Sequence, residues 1–143
     1  MLLGILNQGA FMTEYDYIDE IISSIIISIG IPTNLSGSAY LAYAVKLGIN
    51  SPNLTNSIRK NLFPQVANSF GTKTEAVERA IRHAIDVAWC RGGFENLNKI
   101  FRVMIYSKFD KPTNTEIITL LINRIPFLMN KEEPIDFFES NPV

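Results

Sequence analysis

At 143 residues, with 47% hydrophobic and 19% charged side chains, the chain is one domain by length and is neither disordered nor fibrous in composition. A core burying roughly two-thirds of the unfolded surface is within its reach. A formal net charge of −1 argues on its face against a nucleic-acid partner, and a lone cysteine, Cys90, excludes an internal disulfide and fits a reducing cytoplasm. The longest apolar run, Ile21 to Ile31, is interrupted by Ser23, Ser24, Ser28 and Gly30 and falls short of the ~20 residues a membrane helix needs. Met1 to Ala10 lacks the basic residues that open a signal peptide, so the expectation is a soluble cytoplasmic protein with no membrane partner.

In chain order, residues 1–14 have no clear period and read as a loosely ordered lead-in. Tyr15 to Ile29 is predicted as a helix stopped by Gly30 and Pro32. A second helix, Gly37 to Leu47, has Asn34 or Ser36 as its cap and is closed by Gly48. Ser51-Pro52 opens a third, with Leu54, Ile58 and Leu62 on one stripe and Arg59 and Lys60 facing out. Pro64 to Phe70, Gly71 and the stretch from Thr72 to Arg91 then form a pair of helices about a glycine turn. Glu95 to Tyr106 adds a short helix with Leu97, Ile100 and Phe101 inward. Thr113 with Glu116 makes a capping box for a last helix that Pro126 ends, and residues 127–143 form an acidic tail.

The long helix is the centre of this plan. Ala76, Val77, Ala80, Ile81, Ala84, Ile85, Ala88 and Trp89 repeat four residues apart, which places them on one stripe facing a core. Glu75, Glu78, Arg79, Arg82 and Asp86 fall on the opposite side. Thr72 and Glu75 have capping-box spacing at its start, and Gly92-Gly93 marks its end. Ala67, Gly71 and Val77 have the spacing of a helix-turn-helix: a small residue at the crossing, a glycine in the turn, and an apolar lock on the second helix. Lys73, Thr74, Glu75, Glu78, Arg79 and Arg82 then lie on the front of a recognition helix suited to a DNA major groove.

Charge follows the same division. Between Lys46 and Lys111 there are eleven basic and five acidic residues, net +6, while the remainder holds two basic and nine acidic, net −7. Phosphate neutralisation supplies most non-specific DNA affinity, so a basic segment around the reading helix is the expected asymmetry. Arg79 and Arg82 offer planar forks that bond guanine O6 and N7 together, and Glu78 can accept from a cytosine amino group. The plainer reading is that Glu75–Arg79 and Glu78–Arg82 are i,i+4 pairs on a solvated helix. His83 is read as a phosphate contact or as a helix pair with Asp86. With His83 and Cys90 the only residues of their kinds and about 10 Å apart along the helix, neither a zinc shell nor a Cys–His catalytic pair is supported.

The residues also carry a resemblance. AVERAIRHAIDVAWCRGGFENLNKIF, preceded by IGIPTNLSGSAYL and followed by KPTNTEIITLLINR, is similar to the C-terminal effector domains of the stage zero sporulation protein A family, over about Ile18 to Ile125. That resemblance implies an all-helical unit binding a box close to TGTCGAA, often in tandem, and touching an RNA polymerase sigma factor. It implies base reading by Glu78 and Arg79, DNA contact by Arg82, and a sigma contact near Asn96, Asn98, Phe101 and Ile105, of which Phe101 alone matches well; a core phenylalanine is the alternative. The family's last helix contributes to dimers or is exchanged between protomers, whereas here the face Ile117, Ile118, Leu121, Ile122 and Ile125 also suits packing within the chain. Glu75-Ala76 stands where the family has a serine and a basic residue, which implies lower phosphate affinity. The family's last helix does not usually meet a proline like Pro126.

The expectation is thus an all-α compact bundle of about six helices containing a helix-turn-helix, the helical effector domain spanning residues 15–126. Its function is sequence-specific DNA binding that regulates transcription, with double-stranded DNA and a sigma factor as partners, homodimers on tandem boxes, no cofactor, no metal and no catalytic site. About seventeen residues precede the matching stretch, so the chain is read as either an excised effector domain or a stand-alone version, and in both cases binding is expected to be constitutive, weak as a monomer and stronger on tandem boxes. The rival is a protein-interaction module of the same fold with weakened DNA binding that modulates a full-length regulator or sigma factor. No nucleophile, base and orienter come together in the sequence to suggest an enzyme.

Overall fold

The computed structural model describes residues 14–102 and 107–129; the lead-in through residue 13, positions 103–106 and the acidic tail from residue 130 lie outside them. Six α-helices follow in order: α1 (Glu14–Ser28), α2 (Ser36–Asn50), α3 (Phe63–Phe70), α4 (Thr74–Cys90), α5 (Gly93–Phe101) and α6 (Asn114–Met129). A 3-10 turn, Pro52–Asn56, and a π-helical turn, Ile58–Leu62, join α2 to α3. Among the described residues there is no strand, and the fold is all-α as expected.

Helix α1 forms because burial outweighs propensity. Its inward face is almost entirely isoleucine, with Ile18, Ile21, Ile22, Ile25 and Ile26 buried at helical spacing and Ile29 continuing the stripe. Each β-branched residue costs a few tenths of a kcal/mol in a helix, while burying its side chain contributes about 1.5–3 kcal/mol. The centre of the bundle is α2 laid across α4, with α1 and α6 also against α2, and α3, α5 and α6 against α4. Leu41, Ala44 and Val45 of α2 and Val77, Ile81, Ala84 and Ile85 of α4 are all buried there.

Several boundaries differ from the local signals. Neither Asn34 nor Ser36 caps α2; its N-cap is Leu35, extended at φ −83° and ψ 139° and held by packing against the core rather than by a side-chain oxygen. Gly48 does not close α2, which runs on to Asn50. A Cβ at Gly48 would lie 2.3 Å from Ile122 Cδ1, so this position is where the Ile122 side chain of α6 packs on α2. The single helix expected from Ser51 breaks at Ser57, whose hydroxyl accepts the Lys60 amide at 3.3 Å, and a new helix starts at Ile58. That turn opens to π geometry, with the Phe63 amide reaching Ile58 O. The wider turn relieves Pro64, which lacks an N–H and would crowd the carbonyl four residues back.

At the other end, the second capping box forms as expected. The Thr113 amide donates to Glu116 Oε1 at 2.9 Å and the Glu116 amide to Thr113 Oγ1 at 3.1 Å. Thr113→Ala should lower stability by about 1 kcal/mol, read as a shifted urea midpoint at unchanged slope. An unmoved midpoint would show that the box contributes nothing. Pro126 does not end α6, which continues through it to Met129. A proline this near a C-terminus removes one backbone bond, and the inward residues Ile117, Ile118, Leu121 and Ile125 already anchor the helix. The helical body therefore extends three residues beyond the expected limit at 126.

Candidate nucleic-acid interface

The helix-turn-helix geometry rests on one left-handed residue. Gly71 has φ 67° and ψ 37°, a conformation that costs glycine nothing, and its amide donates back to Asn68 O at 3.4 Å while the Thr72 amide donates to Ala67 O at 2.9 Å. This closure of α3 uses the Thr72 backbone, so the capping box expected between Thr72 and Glu75 does not form. Helix α4 instead starts from an extended Lys73, φ −104° and ψ 154°, whose carbonyl accepts the Val77 amide at 3.1 Å. Ala67 and Val77 are buried where α3 meets α4. The last turn of α3 is fixed from outside as well: Phe70 lies edge-on to Tyr40 at 4.9 Å and Tyr43 at 5.6 Å, and Ser69 bonds the Tyr43 hydroxyl at 3.0 Å.

On the outward face of α4, Glu75, Arg79, Arg82 and His83 are exposed, as is Lys73 before it, while Thr74 and Glu78 are half-buried. The i,i+4 ion pairs of the plainer reading are absent: among the described residues neither Arg79 nor Arg82 meets a carboxylate. Glu78 turns instead to Arg59 of the π turn, Oε1 to Nη2 at 3.4 Å. Its backbone carbonyl accepts Asn114 Nδ2 at 2.8 Å, which fixes the start of α6 against the middle of the reading helix. Arg59, Phe63, Glu75, Glu78, Arg79 and Arg82 thus line an open groove of about 580 Å³ with Thr113, Asn114 and Thr115. Arg59 and the α6 start had no local signal for this place, being distant in sequence from the reading helix.

Elsewhere the bundle settles alternatives that spacing left open. Asp86 pairs with Lys111 rather than with His83, and Lys46 with Asp19 at 2.8 Å, so these two of the eleven basic residues of the central segment are each matched by a carboxylate. Trp89 is core, its Nε1 donating to Ser107 O at 3.0 Å. Phe101 is only 3% exposed, because α5 ends at that residue with its apolar side inward; a sigma contact by the Phe101 side chain itself does not fit this placement. Asn96 is held to Ser28 O, and Ile105 lies outside the described residues. The aliphatic face of α6 is filled by its own chain. No group of three or more His, Cys, Asp or Glu able to hold a metal comes together among the described residues, nor is any described helix long and apolar enough to cross a membrane.

An all-α bundle with a helix-turn-helix, and with two arginines on its exposed face that meet no carboxylate among the described residues, has the form of a DNA-binding domain. The particular family follows from comparison: the family model described as sporulation initiation factor Spo0A C terminal matches residues 22–125, and the chain belongs to that family. It is therefore a DNA-binding domain of sporulation transcription control, and the family is not one of enzymes.

Proposed function

We propose that α4 enters the major groove of a box close to TGTCGAA and that the chain regulates transcription initiation in the cytoplasm through it. Glu78 and Arg79 read base edges, Arg82 grips the adjoining backbone, and Lys73, Thr74, Glu75 and His83 border the contact. The observation that supports this best is that Arg79 and Arg82 stand exposed with no carboxylate partner among the described residues, in one groove with Glu78. An arginine spared from internal pairing keeps its donors for a base or phosphate. A sigma factor meets the exposed side of α5 around Lys99 and Arg102, with Phe101 holding that helix from beneath, and two copies bind tandem boxes cooperatively.

Fluorescence anisotropy on a tandem TGTCGAA duplex and a scrambled duplex, across a salt series, tests this reading. The box duplex should be preferred at least tenfold, with log affinity falling linearly as log salt rises, and single boxes should bind more weakly. Equal weak binding to both duplexes would favour the protein-interaction module instead.

A further inference from the structure

Arg59 lies outside the helix-turn-helix, fifteen residues ahead of the start of α4, yet it meets the one acidic side chain of the proposed base-reading set. Its side chain is 75% exposed and that of Glu78 is 26% exposed, so the pair adds little to stability. The choice of partner is the informative feature. Glu78 and Arg82 are four residues apart on α4, the spacing at which opposite charges meet along a helix, and the carboxylate nevertheless turns across to the π turn. Were Glu78 to take Arg82, one cation of the reading face would be consumed internally and the acceptor would be drawn along the helix away from Arg79.

We propose that Arg59 is a positioning residue for DNA recognition, holding the Glu78 carboxylate where it accepts from a base amino group and leaving Arg82 free for phosphate. A carboxylate accepts up to about four hydrogen bonds, so engagement of Oε1 by Arg59 does not exhaust it. The π turn is what brings Arg59 into reach, since Ile58–Leu62 runs directly into α3 and α3 packs on α4. This inference rests on the proposed reading of α4 and adds to it the source of Glu78's orientation.

The test is a double-mutant cycle in the full chain with Arg59→Ala, Glu78→Gln and the pair, each titrated onto the TGTCGAA duplex and the scrambled duplex. Thermal unfolding of each variant establishes that it is folded, as expected for an exposed side chain. In the wild-type background Arg59→Ala should reduce the preference for the box roughly fivefold, the lower end of what one placed base contact supplies. With Glu78→Gln already present, the same change should alter the preference less than twofold. An Arg59→Ala variant that keeps the wild-type preference, or that weakens both duplexes equally in both backgrounds, overturns the inference and makes Arg59 at most a phosphate contact. Wild-type protein without any preference for the box would instead overturn the reading of α4, and the inference with it.

Discussion

Replacing Arg79 with alanine is expected to erase sequence preference while leaving weak, salt-sensitive binding to any duplex. Arg79 is exposed on the outer face of α4 and lines the groove beside Glu78 and Arg82. A bidentate contact from a guanidinium to guanine is worth about 1–3 kcal/mol of discrimination, so affinity for the box duplex should fall roughly 5- to 150-fold. Affinity for the scrambled duplex should fall by much less, because only one charge is lost and the salt slope changes by about one at most. Stability should move by no more than about 0.5 kcal/mol, since an exposed helix position tolerates alanine. Selectivity and stability therefore separate in this variant. A mutant that still favours the box as the wild type does would remove Arg79 from the reading set.

The second large effect is on the fold that carries this helix. A Cβ built at Gly37 would stand 2.1 Å from Ala80 O, 2.7 Å from Ala80 C and 3.0 Å from Ala84 Cβ. Two of those atoms are backbone of α4, which no rotamer change can move aside, so α2 and α4 must separate. Alanine gains up to about 1 kcal/mol over glycine in helix propensity, but overpacking a rigid contact costs about 1–3 kcal/mol and more when backbone is struck. The clash wins. Gly37→Ala should destabilise by about 3 kcal/mol, lower the melting temperature by roughly 10 °C, and weaken box binding by displacing the middle of the reading helix. Gly71→Ala is the informative comparison, because nothing lies within 4 Å of its Cβ and only the positive φ is penalised, at about 1 kcal/mol. A Gly37→Ala protein as stable as the wild type would mean that the two helices are not in close contact there.

What was legible in the sequence was whatever a single turn of chain decides. The stripe on α4, the turn at Gly71 and the reciprocal bonds of Thr113 and Glu116 all depend on residues a few positions apart, and each is where its spacing placed it. Local rules failed where two of them competed for the same group or where distant packing intervened. Thr72 had the right partner for a capping box, but its amide was already committed to Ala67 O at the end of α3. Pro126 should stop a helix, yet the buried side of α6 carries the chain through it. Gly48 has the composition of a stop, yet it sits inside α2 with the Ile122 side chain packed on it.

The sequence by itself determined the α-helices outside residues 51–62, the class of fold and the basic character of the central segment, because helical periodicity, turn residues and charge are written position by position. Only the tertiary structure decided which charges remain available. It spent Lys46 on Asp19 and Lys111 on Asp86, turned Glu78 to Arg59 across nineteen positions, tied its carbonyl to Asn114 across thirty-six, and drew Phe101 into the core. The physical reason is range: backbone preferences act within one or two turns, whereas the partner of an exposed charge is chosen by whichever helix packing brings alongside it.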